Sequence, residues 1–85
     1  MQNLQKIIAQ GHDAERLLKD ELLIESFNAV EQSYIRRWMS ADNVDEREKL
    51  HALITALQDV HSHLEEFVQS GVLAGNWRRP ANPYS

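Results

Sequence analysis

The chain contains no cysteine, so it has neither a disulfide frame nor a thiolate metal site, and thiol redox chemistry is excluded. A reducing compartment is compatible with this composition but not demanded by it. Glycine (3) and proline (2) are scarce, which leans towards helix. No stretch approaches the ~20 apolar residues that span a bilayer. Met1 to Gln10 lacks the basic start and continuous apolar core of a signal peptide. The expected setting is therefore the cytosol, with no membrane contact and no secretion.

A basic excess is also missing. The formal charge of −4 and the pI near 5.4 argue against a nucleic-acid binder whose affinity comes from neutralising many phosphates. There is no Gly-x-Ser-x-Gly, no glycine-rich phosphate loop and no thiol nucleophile. The sequence thus assigns no catalytic residue, no cofactor and no metal ligand, and the expectation is a protein that is not an enzyme.

What is present is helix patterning. With 85 residues there is room for one domain, and a chain this short buries only about 60 to 65% of the surface it exposes unfolded. Its stability is modest unless copies associate. From Asn3, a plausible N-cap, Leu4, Ile7, Ile8, Gly11, Ala14, Leu17 and Leu18 return at three-and-four spacing and predict a first amphipathic helix. Gly11 costs about 1 kcal/mol against Ala there. It either breaks the helix near His12, with Asp13 and Arg16 starting afresh, or lets another helix approach closely; continuity is favoured.

Asp20 is positioned to cap a second helix and Glu21 to suit its N-terminus, and Leu23, Phe27, Val30, Tyr34 and Trp38, joined by Ile24 and Ile35, mark one face as far as Met39. Arg36 and Arg37 fall in its last turn, where cations suit the carbonyl end of the helix.

Ser40-Ala41-Asp42-Asn43 reads as a turn, and Asp45, Glu46 and Glu48 crowd the start of the next helix. There Leu50, Leu53, Leu57, Val60, Leu64 and Phe67 form a heptad seam, widened by Ile54, Ala56, His61 and Val68. A short connection between two such helices makes an antiparallel hairpin. This helix is expected to end near Ser70 with Gly71 as a left-handed cap, and Pro80 and Pro83 keep helix out of the remainder.

The expected fold is all-α: a long antiparallel helical hairpin with an additional N-terminal helix, packed beside it or donated to another copy, and an extended C-terminal tail. The domain spans 1–75 and the arm 76–85. Leu57, at the centre of the seam, is expected to be buried. Ile24, Ile35, Ile54 and Val68, apolar beside the seams, favour cover by the first helix or self-association.

Four histidines raise the question of a metal, and His61 and Glu65 have the spacing to share a helical face. His63 points elsewhere, however, and no HExxH pattern exists. The acids Asp42, Asp45, Glu46 and Glu48 lack the central Gly and closing Glu of an EF-hand, so helix-terminus charge explains them.

Arg36-Arg37-Trp38 and Trp77-Arg78-Arg79 both join basic and aromatic residues. The first reads as helix-end charge with a core Trp38. In the second, Trp77 and Tyr84 fall outside the seams and are either folded back over the hairpin or offered to a partner. Trp77, Arg78, Arg79 and Tyr84 are therefore the candidate partner-binding residues. Arg78 and Arg79 give this tail +2 and leave the rest at −6 of the net −4, which permits docking on the body of the same or a neighbouring copy.

Gly11 to Leu18, Met39 to Glu48 and Leu53 to Leu64 together carry a leucine pair, a polar turn leading into Asp45-Glu46-Arg47-Glu48, and a long leucine-patterned helix. This order resembles small tailed-bacteriophage proteins of unassigned function. The resemblance implies a phage or prophage source, and hence host cytoplasm or virion as location, and carries over no site residue. The expected function is a protein–protein interaction module, an oligomeric virion or assembly component. The rival is a small phage-encoded inhibitor that binds a host defence protein or sequesters a nucleotide signal.

Overall fold

The computed structural model describes residues 3–78, and these are all-α: α1 (Leu4–Leu18), α2 (Glu21–Met39) and α3 (Val44–Arg78), with no strand among the described residues. The caps follow the local chemistry. Asn3 Oδ1 accepts from the Gln5 amide at 2.8 Å, Asp20 Oδ1 from Leu23 at 2.9 Å, and Asn43 Oδ1 from Glu46 at 2.8 Å, each satisfying an amide the first turn leaves without a partner. In the α2–α3 turn the Arg47 guanidinium donates to the Ala41 carbonyl at 3.3 Å, and Ala41 is buried beneath it.

The two shorter helices follow one another along the long one. Gly11 of α1 lies against Gly71 of α3, Leu18 lies near Leu64, and Leu23 and Phe27 of α2 lie near Leu64 and His61. Both α1 and α2 therefore run antiparallel to α3, and their 15 and 19 residues nearly match its 35. The molecule is a helical hairpin, 62 × 25 × 25 Å, whose first arm is interrupted at Lys19 and Asp20. The N-terminal helix is thus in line with α2 and not beside the pair, because a two-residue link without a reversal leaves it the remaining length of α3.

Two further expectations are corrected. Gly71 is neither a left-handed cap nor the helix end: it is helical and buried, no described residue has positive φ, and α3 runs on to Arg78. A Cβ on Gly11 would stand 2.9 Å from the Gly71 Cα and 3.0 Å from the Phe67 carbonyl oxygen; one on Gly71 would stand 3.0 Å from the Gly11 Cα. The glycines serve a close helix crossing, and that packing outweighs their weak helix propensity. Consequently Asn76, Trp77 and Arg78 form the last turn of α3 and not the start of an extended arm; the rest of the tail lies outside the described residues.

Leu57 is half-buried, and the large side chain closed off completely is Leu50, at 1% exposure. Leu50, Leu57, Leu64 and Gly71 recur every seven residues on the interior line of α3. Beside α1, Phe67 and Ala74 join that line; beside α2, Ile54 does so, while Leu53 and Val60 stay exposed. A hairpin covers only one side of each helix, so a position such as Leu57 keeps partial contact with solvent. No helix among the described residues is long and apolar enough to cross a membrane.

The crossing yields a test with opposite signs at neighbouring glycines. Gly71→Ala should destabilise by about 1 to 3 kcal/mol through overpacking, although Ala is the better helix former. A Cβ on Gly75 meets nothing within 4 Å, so Gly75→Ala should stabilise by about 0.5 to 1 kcal/mol. Denaturant titration of both variants reads the difference. In the same assay Leu50→Ala should cost about 2 to 5 kcal/mol, and Leu57→Ala less.

Candidate interaction surfaces

Two of the four histidines are occupied locally. His61 Nδ1 lies 2.8 Å from Glu65 one turn on, and His63 Nδ1 lies 3.4 Å from Glu66. His63 also packs edge-to-face on Phe67, with ring centroids 4.8 Å apart. No group of three or more possible metal ligands occurs among the described residues. Asp45 and Glu46 sit in the first turn of α3, and Asn43 provides the cap, so the acidic run reads as helix-terminus chemistry. On α1, the Lys19 ammonium donates to the Glu15 carboxylate at 2.8 Å. That bond and the Lys19 charge hold the Glu15 carboxyl below its usual range. Being lowered, the shift favours the fold above the ordinary carboxylate pKa, and its small benefit disappears as pH falls through the folded-state value.

The hollows are grooves between helices. The apolar crevice where α1 meets α2, lined by Leu18, Leu23, Phe27 and Leu64 among others, holds about 80 Å³, short of the ~300 Å³ at which ligand pockets begin, while the larger hollows, about 450 Å³ between Asn28 and Gln58 and about 520 Å³ beside His12 and Lys19, are open to solvent.

The apolar surface is more informative. Along the α2–α3 half, one flank is polar: Asn28 and Glu31 of α2 and Gln58 and Ser62 of α3 line an open groove. At about 100° per residue, the opposite flank presents Ser26, Val30 and Ser33 of α2 and Leu53, Ala56 and Val60 of α3, with Leu22 and Ala29 at its outer edge. Leu22 is 72% exposed and Val60 51%, and Val30 and Leu53 are also exposed. No charge falls on this strip between Leu22 and Arg37 on α2, or between Lys49 and His63 on α3.

A second apolar feature lies at the end of α3. Trp77 is 81% exposed, one turn beyond the exposed Leu73 on the same outer face. Of the two arrangements open from the sequence, the indole is not folded back over the hairpin. Arg78 closes the helix, and Arg79 and Tyr84 lie outside the described residues, so the structure does not bring the four candidate residues together. Trp38, expected in the core, is 42% exposed, beside the exposed Arg36 and Arg37. Sequence reasoning missed the Leu53 and Val60 flank because both fit the heptad seam. The available signal was the second apolar line through Ile54 and Val68, one residue further on, which competes to face inward.

Compared with known proteins, the chain matches no family model, no curated sequence and no solved structure.

If the helix-end reading is right, Asn43→Ala should cost about 1 kcal/mol, and neither calcium nor zinc should move the melting temperature of the full chain. A melting midpoint that rises on adding either ion would show a cation site at the turn or along α3.

Proposed function

We propose that the chain is a non-enzymatic protein–protein interaction module, a component of an oligomeric phage virion or of its assembly. The hairpin packs against protein, and the C-terminal end of α3 attaches the module to its partner. The observation that carries this reading is the imbalance of apolar surface: Leu50 is closed off, while Leu22, Met39, Val44, Val60, Val72, Leu73 and Trp77 are all more than half exposed. Groups of large apolar residues left on a surface mark interaction sites, and Trp is enriched among residues that dominate interface energy. The resemblance to small tailed-phage proteins supplies the setting.

Mass spectrometry of purified particles from the encoding phage or induced prophage tests the setting, with several copies per particle expected. Early synthesis with no copy in particles would replace it with the host-directed inhibitor. At the level of the residue, Trp77→Ala should leave helicity unchanged and stability within about 0.5 kcal/mol. It should weaken incorporation into particles by roughly tenfold or more, as removal of an anchor worth about 2 kcal/mol would. Full incorporation of the variant would move the attachment surface away from Trp77.

A further inference from the structure

We infer that α1 is a releasable arm: it opens as a unit about the Lys19–Asp20 link while the α2–α3 hairpin stays closed, so the fold carries a closed and an open state of one helix.

The two halves of the hairpin hold α3 by different means. The closed-off positions of α1 are Gly11 and Ala14, which bring little side-chain surface to the contact, and the helix contains no Phe, Tyr or Trp. Its large residues on that side, Ile7, Ile8 and Leu18, are half-buried. α2 instead half-buries Leu23, Phe27, Tyr34 and Ile35, and its half of α3 contains Leu50, the large side chain closed off completely. Hydrophobic stabilisation follows the apolar area removed from water, and aromatic side chains bring the most of it. The α1 half is therefore the closer contact and the weaker one.

The connections separate the halves as well. Among the described residues, α1 is tied to the fold through Lys19 and Asp20 alone, whereas α2 is held at both ends, by that link and by the turn in which Arg47 donates to the Ala41 carbonyl at 3.3 Å. The Asp20 carboxylate that caps α2 belongs to the link, so α2 keeps its cap when α1 departs. The ion pairs of α1, Asp13 with Arg16 and Glu15 with Lys19, reach no other helix. At the junction α1 and α2 do not interlock. They border a hollow of about 80 Å³, and Leu17 and Ile24 on its rim are 45% and 43% exposed, so opening there severs few apolar contacts. A 15-residue helix holds little structure by itself in water. An undocked α1 therefore melts, and its release uncovers Phe67, Gly71 and Ala74 of α3.

Amide hydrogen exchange of the full chain, resolved by residue under native conditions, tests the release. Amides from Gly11 to Leu17 should be protected at least roughly tenfold less than those from Phe27 to Tyr34. Low urea should speed exchange in α2 steeply and in α1 only slightly, because opening one helix exposes less surface than unfolding the hairpin. Leu50→Ala, which acts in the other half, should lower protection in α2 and leave that of α1 unchanged. The urea series uses the wild type and decides even if Leu50→Ala does not fold. Equal protection in the two helices with the same urea dependence, or a Leu50→Ala effect of equal size on both, would make the molecule one cooperative unit and overturn the release. So would protection lost progressively from Ile7 to Leu18, which is end fraying, or an α2 less protected than α1.

Discussion

Backbone lies against backbone where Gly11 meets Gly71, and the path of the chain depends on that contact. With a built Cβ standing only 2.9 to 3.0 Å from the opposing Cα, neither position has room for a side chain. Ala14 and Ala74, one turn further along their helices and likewise buried, continue the crossing with the smallest side chains available. The close approach draws α1 onto the C-terminal half of α3 and keeps α3 helical through Gly71. Around α2 the spacing is set instead by Leu23, Phe27, Leu57 and Leu64. Small-residue and large-residue contacts want different separations between helix axes, so a single straight helix opposite α3 would fit one half and not the other. The break at Lys19 and Asp20, capped by the Asp20 carboxylate, lets that arm change its spacing.

A hairpin organised in this way has two layers of one helix each, and two layers cannot enclose a core of large side chains. The fully buried positions are Gly11, Ala14, Ala41, Leu50, Gly71 and Ala74, mostly residues that contribute little hydrophobic stabilisation because they have little apolar surface to bury. The larger aliphatics sit at the margins of the contact, partly covered. The same geometry that makes the crossing tight therefore leaves the flanks apolar. The apolar area that does not serve the crossing stays at the surface.

The polar groups fit this picture. His61 and Glu65, His63 and Glu66, Asp13 and Arg16, and Glu15 and Lys19 pair locally at exposed positions, where such contacts contribute little to stability. They keep the outer faces wet and helical, and they leave the strip through Val30 and Val60 without charge. Trp77 is set apart from both arrangements, in the last turn of a helix that runs on past Gly71.

The sequence by itself determined the helical class, the caps at Asn3 and Asp20, the turn through Asn43, and the hairpin, because these depend on local chemistry and on a short connection that forces neighbouring helices together. It also contained the possibility that Gly11 admits a close neighbour. Only the tertiary structure decided that the neighbour is Gly71. A glycine that caps a helix and a glycine that receives another backbone look the same along the chain, and they differ in what lies opposite. For the same reason the end of α3, the in-line position of α1 and the choice between the Leu53 and Ile54 lines were not legible. Two apolar lines one residue apart lie within one broad face, and which turns inward is settled by where the covering helix sits.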